Sequence, residues 1–328
     1  MSLPALFENC LSVPVIAAPM FLASGPSLVT ACCKSGVVGT FPALNLRSTD
    51  EFEAWVIEIK AELQRHADET GDLPAPFGVN LIAHRSNPRL EADLAICIKH
   101  EVPLIITSLG AISDLVDAVH GYGGIVFHDV VNARHGKKAA AAGVDGLIAV
   151  AAGAGGHAGD WSPFALINEL RQFFDHTILL SGCLSTGSDV AAAQMIGADL
   201  AYMGTRFLGT QECEANENYK QKLLDSSAAG IVYTPAVSGI PANFIRESVE
   251  AAGIALADAP KVDLGLELQE ARDGKASDAK PWVDVWSAGQ GVGSVNDLPT
   301  TAELVSRLKA EYHQAHQDQQ ARIAKLNG

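Results

Sequence analysis

Positive charge is scarce in this chain. It carries 23 Lys and Arg against 38 Asp and Glu, a formal net charge of −15 over 328 residues. Such an acidic surface repels the phosphates of nucleic acid and of anionic lipid, which argues against either as a partner. Long apolar runs are lacking too, since none reaches the roughly 18 residues that a membrane-crossing helix needs. The first residues, Met1-Ser-Leu-Pro-Ala-Leu-Phe-Glu8, lack the basic start of a secretory signal. Six cysteines (Cys10, Cys32, Cys33, Cys97, Cys183, Cys213) include no C-x-x-C pair and no ligand-like spacing with histidine. Reduced thiols in a cytoplasmic protein are therefore expected, with no metal site. Hydrophobic residues make up 48% and charged residues 19%, enough for one large globular core.

The first two hundred residues alternate short β-branched runs with longer amphipathic stretches. Expected strands are Val13–Ala17, Val37–Phe41, Phe77–Leu81, Leu104–Ser108, Gly124–His128, Leu147–Val150, Thr177–Leu180 and Leu200–Met203. Helix-like segments lie between them: Pro26–Lys34, Asp50–Glu69, Arg89–His100, Ile112–His120, Asn132–Ala142, Pro163–Phe174 and Gly187–Ile196. Eight strand–helix units in series favour an α/β protein built on a (β/α)8 barrel, a TIM barrel. A doubly wound sheet is the alternative. It is weakened because the first turn, Ala18-Pro-Met-Phe-Leu-Ala-Ser-Gly25, has no G-x-G-x-x-G. After Phe207 the alternation stops. The expected organisation is a barrel over residues 1–211 and a smaller, mainly helical lobe over its mouth at 212–280, with helices near Glu217–Ser227 and Arg246–Ala252. Residues 281–328 then supply a glycine-rich loop, Val285–Gly293, and a helix from about Thr301 to Lys325 packed on the barrel exterior.

One motif places a titratable group where barrel enzymes work. The buried-strand run Gly146-Leu-Ile-Ala-Val-Ala-Ala152 is followed by Gly153-Ala-Gly-Gly-His-Ala-Gly159. His157 thus stands at the C-terminal end of a strand, on a loop stripped of side chains that a flat ligand can approach. A glycine-rich turn with an incidental histidine is the plain alternative. Two later turns, Ser181-Gly-Cys-Leu-Ser-Thr-Gly187 and Gly204-Thr-Arg-Phe207, follow the seventh and eighth strands. In a barrel these loops commonly offer backbone N–H groups and a helix N-terminus to a phosphate.

These residues resemble the nitronate monooxygenase (2-nitropropane dioxygenase-like) flavoproteins, a group that includes enoyl-acyl-carrier-protein reductase II and certain quinone reductases. The matching segments are Ala17-Ala-Pro-Met20, Phe77-Gly-Val-Asn80, Ala142-Gly-Val-Asp145, Gly155-Gly-His157, Ser181-Gly182, Ile196-Gly-Ala-Asp199, Gly204–Leu208 and Trp286–Gln290. They run in the family's order from near residue 13 to near 293. The resemblance implies FMN at the C-terminal face of the barrel. Ala18, Pro19 and Met20 would line its ring, Asn80 would bond the ring's polar edge, and Gly155 and Gly156 would let the backbone approach. Ser181, Gly182, Cys183, Gly204 and Thr205 would surround the phosphate, with Met203 beside them and Gln290 arriving from the C-terminal loop. His157 matches the family's catalytic histidine.

The chain departs from the family pattern at three places. Gly153 stands where a Glu is common, Cys183 replaces a glycine, and His128-Asp129 ends strand five where some quinone reductases carry a flavin-facing lysine. An acid there would not stabilise a negative charge at flavin N1–C2=O, which speaks against the quinone-reductase assignment and leaves FMN itself intact. Asp129 reads otherwise as the N-cap of the next helix, and His128 as either a second titratable group or a satisfied core histidine. Cys183, close to a helix N-terminus, is expected to have a lowered pKa. Arg206 is expected to brace loops. The implied activity is oxidation of an alkyl nitronate, or of a nitroalkane first deprotonated by His157, by dioxygen to a carbonyl compound and nitrite. Alternatives are an NAD(P)H-dependent FMN reductase of quinones or enoyl thioesters, and a non-catalytic barrel that binds a phosphometabolite. Oligomeric state is left open, a homodimer included.

Overall fold

A computed structural model describes residues 3–84, 86–110, 113–256 and 285–326. Eight parallel strands close into a barrel: β1 (Val15–Ala17), β2 (Val38–Pro42), β3 (Phe77–Ile82), β4 (Leu104–Ser108), β5 (Ile125–Val130), β6 (Gly146–Val150), β8 (Thr177–Ser181) and β9 (Leu200–Met203). β9 returns to pair with β1, Ile16 opposite Tyr202, so no strand edge remains. The helices alternate with the strands and cover the barrel, as the alternating pattern requires. The longest of those between strands, α2 (Thr49–Thr70), starts at a capping box in which Ser48 and Glu51 satisfy each other's backbone N–H. The helix Thr301–Leu326 packs on the exterior through buried Leu304, Val305 and Leu308, with Tyr312 bonded to Gln194 of α7 (Gly187–Met195).

Period-two alternation along the strands divides their residues between two environments. Outward residues such as Val79, Ile105, Val126 and Leu147 bury against the helices. Inward residues fill the barrel floor with Ile16, Leu104, Phe127, Leu179 and Leu200, closed below by Phe7, whose ring meets Phe127 edge-on at 6.0 Å. Two residues further along the same inward rows the chemistry changes. Leu179 gives way to Ser181, Leu200 to Tyr202, Phe127 to Asp129, and Ile106 to Ser108. The barrel therefore has an apolar floor and a polar mouth.

The described part of the segment beyond residue 212 holds the helices Glu217–Asp225 and Arg246–Ala251, near their expected positions. It also adds a hairpin of β10 (Ile231–Thr234) and β11 (Ala242–Ile245) that the helical expectation missed. β11 pairs antiparallel with β7 (Gly156–His157), placing Ala242 opposite His157. The rest of the expected lobe, 257–284, lies outside the described residues.

Candidate active site

A cavity of about 790 Å³ opens at the C-terminal face of the barrel. Ala18, Pro19, Met20 and Asn80 line one side, and Gly155, Gly156 and His157 another. Ser181, Gly182, Cys183, Met203, Gly204 and Thr205 form its end wall. Gln290 does not line it: its side chain is exposed, with Oε1 3.9 Å from Cys183 Sγ.

Close backbone contacts shape the end wall. Gly153, Gly155, Gly289 and Gly291 occur where loops 153–155, 181–184 and 289–291 interlock. A Cβ on Gly155 would lie 2.8 Å from the nitrogen of Gly289, and one on Gly289 2.6 Å from the oxygen of Gly153. The loops are tied by Gln290 N–H to Gly153 O at 2.9 Å and by Gly289 N–H to Thr205 Oγ1 at 2.9 Å. Cys183 takes a left-handed φ of 58°, a conformation that favours glycine. The N-terminus of α7 is not the free anion site the sequence suggested. Asp189 accepts from the backbone of Ser185 and Thr186, and Glu311 from Gly187. Gly182, Cys183, Gly204 and Thr205 line the cavity itself.

The hairpin holds His157 in place. Besides the β7–β11 pairing, buried Asn243 Nδ2 donates to Ala154 O at 2.7 Å, and Tyr233 donates to Ala158 O at 3.0 Å. Ser238 Oγ stands 3.5 Å from His157 Nε2. Burial lowers the His157 pKa from 6.5 to about 4, so the imidazole is neutral at neutral pH. Sequence reasoning missed Tyr233, Ser238 and Asn243. Ile231-Val-Tyr-Thr234, bounded by Gly230 and Pro235, carried the strand signal that would have pointed to them.

Asp129 is not a helix cap. β5 extends through Val130, which turns Asp129 into the barrel, and Asn132 caps the next helix by accepting from His135 N at 2.9 Å. A hydrogen-bond row crosses the mouth instead: Asn80 Nδ2 donates to Ser108 Oγ at 2.9 Å, and Ser108 donates to Asp129 Oδ2 at 2.6 Å. Asp129 Oδ1 is buried without a partner. Burial pushes this carboxyl up to about 6, against the lowering effect of Ser108.

His128 points the other way and sits 2.7 Å from Thr107 Oγ1. Burial, with His135 and Lys138 nearby, lowers its pKa to about 4. It is both a satisfied histidine and part of the cavity lining. The expected lowering at Cys183 is reversed: burial and the Asp189 carboxylate raise its pKa. Arg206 is buried and pairs with Asp297 at 2.8 Å, bracing the strand-nine loop against the C-terminal segment. Tyr219 and Trp286 stack at 5.4 Å along the cavity edge. Among the described residues, no cluster of His, Cys, Asp and Glu could hold a metal ion. No helix among them is long and apolar enough to cross a membrane.

The cavity suits an FMN-sized ligand. Its volume falls in the range of cofactor sites, and its end wall admits close backbone approach.

Comparison with known proteins agrees with this geometry. A nitronate monooxygenase from Paraburkholderia phytofirmans is 26% identical over 92% of this chain and 93% of its own. An octahydro-indene-carboxyl-CoA dehydrogenase from Rhodococcus jostii is 25% identical over 91% of this chain and 92% of its own. The solved structure of nitroalkane oxidase from Streptomyces ansochromogenes superposes with a TM-score of 0.81 at 22% identity. It covers 96% of this chain and 99% of that one, and so shows a shared fold. The nitronate monooxygenase family model matches residues 5–311, and the chain therefore belongs to that family of FMN-dependent oxidoreductases.

Proposed function

We propose that this protein binds FMN and oxidises alkyl nitronates with dioxygen, giving a carbonyl compound and nitrite. The observation that carries this reading is an imidazole, His157, held by a sheet at the wall of a cavity with a glycine-lined backbone cradle. Gly182–Cys183 and Gly204–Thr205 would hold the phosphate, while Ala18–Met20 and Asn80 would lie against the ring. The flavin, when bound, supplies the electron-accepting chemistry, and the chain supplies position, electrostatics and proton handling.

The low basicity of His157 selects between the two substrate forms. A neutral nitroalkane must give up its α-proton to His157 Nε2, and a base that weak accepts it poorly. A nitronate arrives already deprotonated. The site therefore favours the nitronate, with proton abstraction from a nitroalkane as a slower second activity. The test is the absorption spectrum and released cofactor of the purified protein, followed by oxygen consumption with a nitronate. Yellow protein that releases FMN and consumes oxygen supports the reading. Protein without flavin, or flavin protein inert to nitronates, defeats it.

A further inference from the structure

We propose that Asp129 is a second proton-carrying group of this cavity. It takes up a proton when the cavity gains negative charge, so that a neutral carboxyl and not a carboxylate stands in the wall beside the anion. The inference deepens the reading above, because it assumes an occupant that carries or develops negative charge.

The geometry starts from the strand. Asp129 follows Phe127 on the inward row of β5, so its carboxyl stands where the apolar floor meets the polar mouth. Ser108 on β4 already donates to Oδ2, and Asn80 on β3 donates to Ser108, so this row of donors ends on Asp129. Oδ1 remains, buried and unpartnered. A buried acceptor without a donor is destabilising, and more so when it carries charge. Protonation lessens that penalty, because a neutral carboxyl costs less to bury than a carboxylate.

The surroundings do not stabilise the ionised form. On its own strand, His128 faces the other side toward Thr107, and His135 and Lys138 act on that imidazole. From β6, Ile148 sits opposite in register, and from β9 the titratable neighbour is Tyr202, whose pKa is raised by burial and then by Asp129. His157, across the cavity, is neutral at neutral pH. Among the described residues, no cation pairs with Asp129. Its raised pKa, near 6, puts the proton within reach at neutral pH once a negative ligand adds its own field. No bond in the chain breaks; the proton comes from solvent. The negative charge that drives the uptake is either carried in by the nitronate or gained by the flavin.

Two measurements separate these sources, the first on the protein as purified and the second on its flavin-loaded form. In the first, acetate, a planar two-oxygen anion, is bound at pH 7 in buffers of different ionisation enthalpy, and calorimetry reads the proton uptake. In the second, the flavin's midpoint potential is followed against pH. We expect uptake approaching about one proton in at least one arm, lost in Asp129→Asn and retained in His157→Asn. Uptake with acetate assigns the driving charge to the substrate, and a potential that bends with pH only when Asp129 is present assigns it to the flavin. Ser108→Ala keeps the carboxyl and should move the titration to higher pH, which keeps the test open if Asp129→Asn folds poorly. Uptake that persists in Asp129→Asn, or wild type without uptake in either arm, overturns the proposal. Protein that retains no flavin defeats the proposed function alone, because the acetate arm still reads Asp129.

Discussion

Asn243 Nδ2 donates a buried 2.7 Å hydrogen bond to the carbonyl of Ala154. This joins the hairpin after the barrel to the loop that presents His157, across 89 residues of sequence. Removing the amide strands a carbonyl away from water. We expect Asn243→Ala to destabilise the fold by about 1–3 kcal/mol in urea denaturation. It should lower turnover more than flavin retention, because the bond secures His157 and not the phosphate wall. Flavin loss with unchanged kcat would show that the hairpin serves the cofactor instead.

The depressed pKa of His157 sets an acid limit. If neutral His157 accepts the proton of a nitroalkane, the acid limb of kcat/KM should fall near pH 4, well below the ordinary imidazole value of 6.5. His157→Asn should lose about 10²–10⁴-fold on the nitroalkane, keep more activity on the nitronate, and still bind FMN. An equal loss on both forms would make His157 a positioning residue for the nitro group.

Gly153 and Cys183 compete for one small space. Gly153 has φ of 80°, and a Cβ there would fall 2.3 Å from Cys183 Sγ. Gly153→Ala should therefore destabilise by about 1–3 kcal/mol, through strained backbone and overpacking together. Cys183→Gly removes the sulfur and relieves a left-handed non-glycine residue, so the double variant should recover part of the loss. A double-mutant cycle on denaturation midpoints measures the coupling. Simple additivity would mean the backbone conformation, and not the contact, carries the effect.

Stability should weaken in mild acid. His128 and His157 both titrate near 4 in the folded chain, against 6.5 in the unfolded one. Between those values the unfolded state binds more protons, so stability falls as pH drops through that window. Asp129 acts in the opposite sense, since its pKa is raised from 3.8 to about 6, and it offsets part of the loss. Urea midpoints at pH 7 and pH 5 should differ in that direction. His128→Gln should flatten the dependence, and an unchanged slope would show that His128 is charged in the folded protein.

The sequence by itself determined the barrel. Period-two runs alternating with amphipathic helices leave few ways to bury both faces of eight strands, and the late glycine turns and His157 marked the working end. Local signals also located the flanking helices, because Ser48 with Glu51 and Thr186 with Asp189 are caps formed within four residues. What local pattern could not decide was direction and company. Whether Asp129 capped a helix or entered the barrel depended on two further residues of strand, and one extra pair in a ladder exchanges inside for outside. The amides of α7 read as free until Glu311, 124 residues away, was seen to take one of them. The shifted pKa values of His157, Asp129 and Cys183 belong to the same class. They arise from desolvation and from charges brought near by chain closure, which only the tertiary structure supplies.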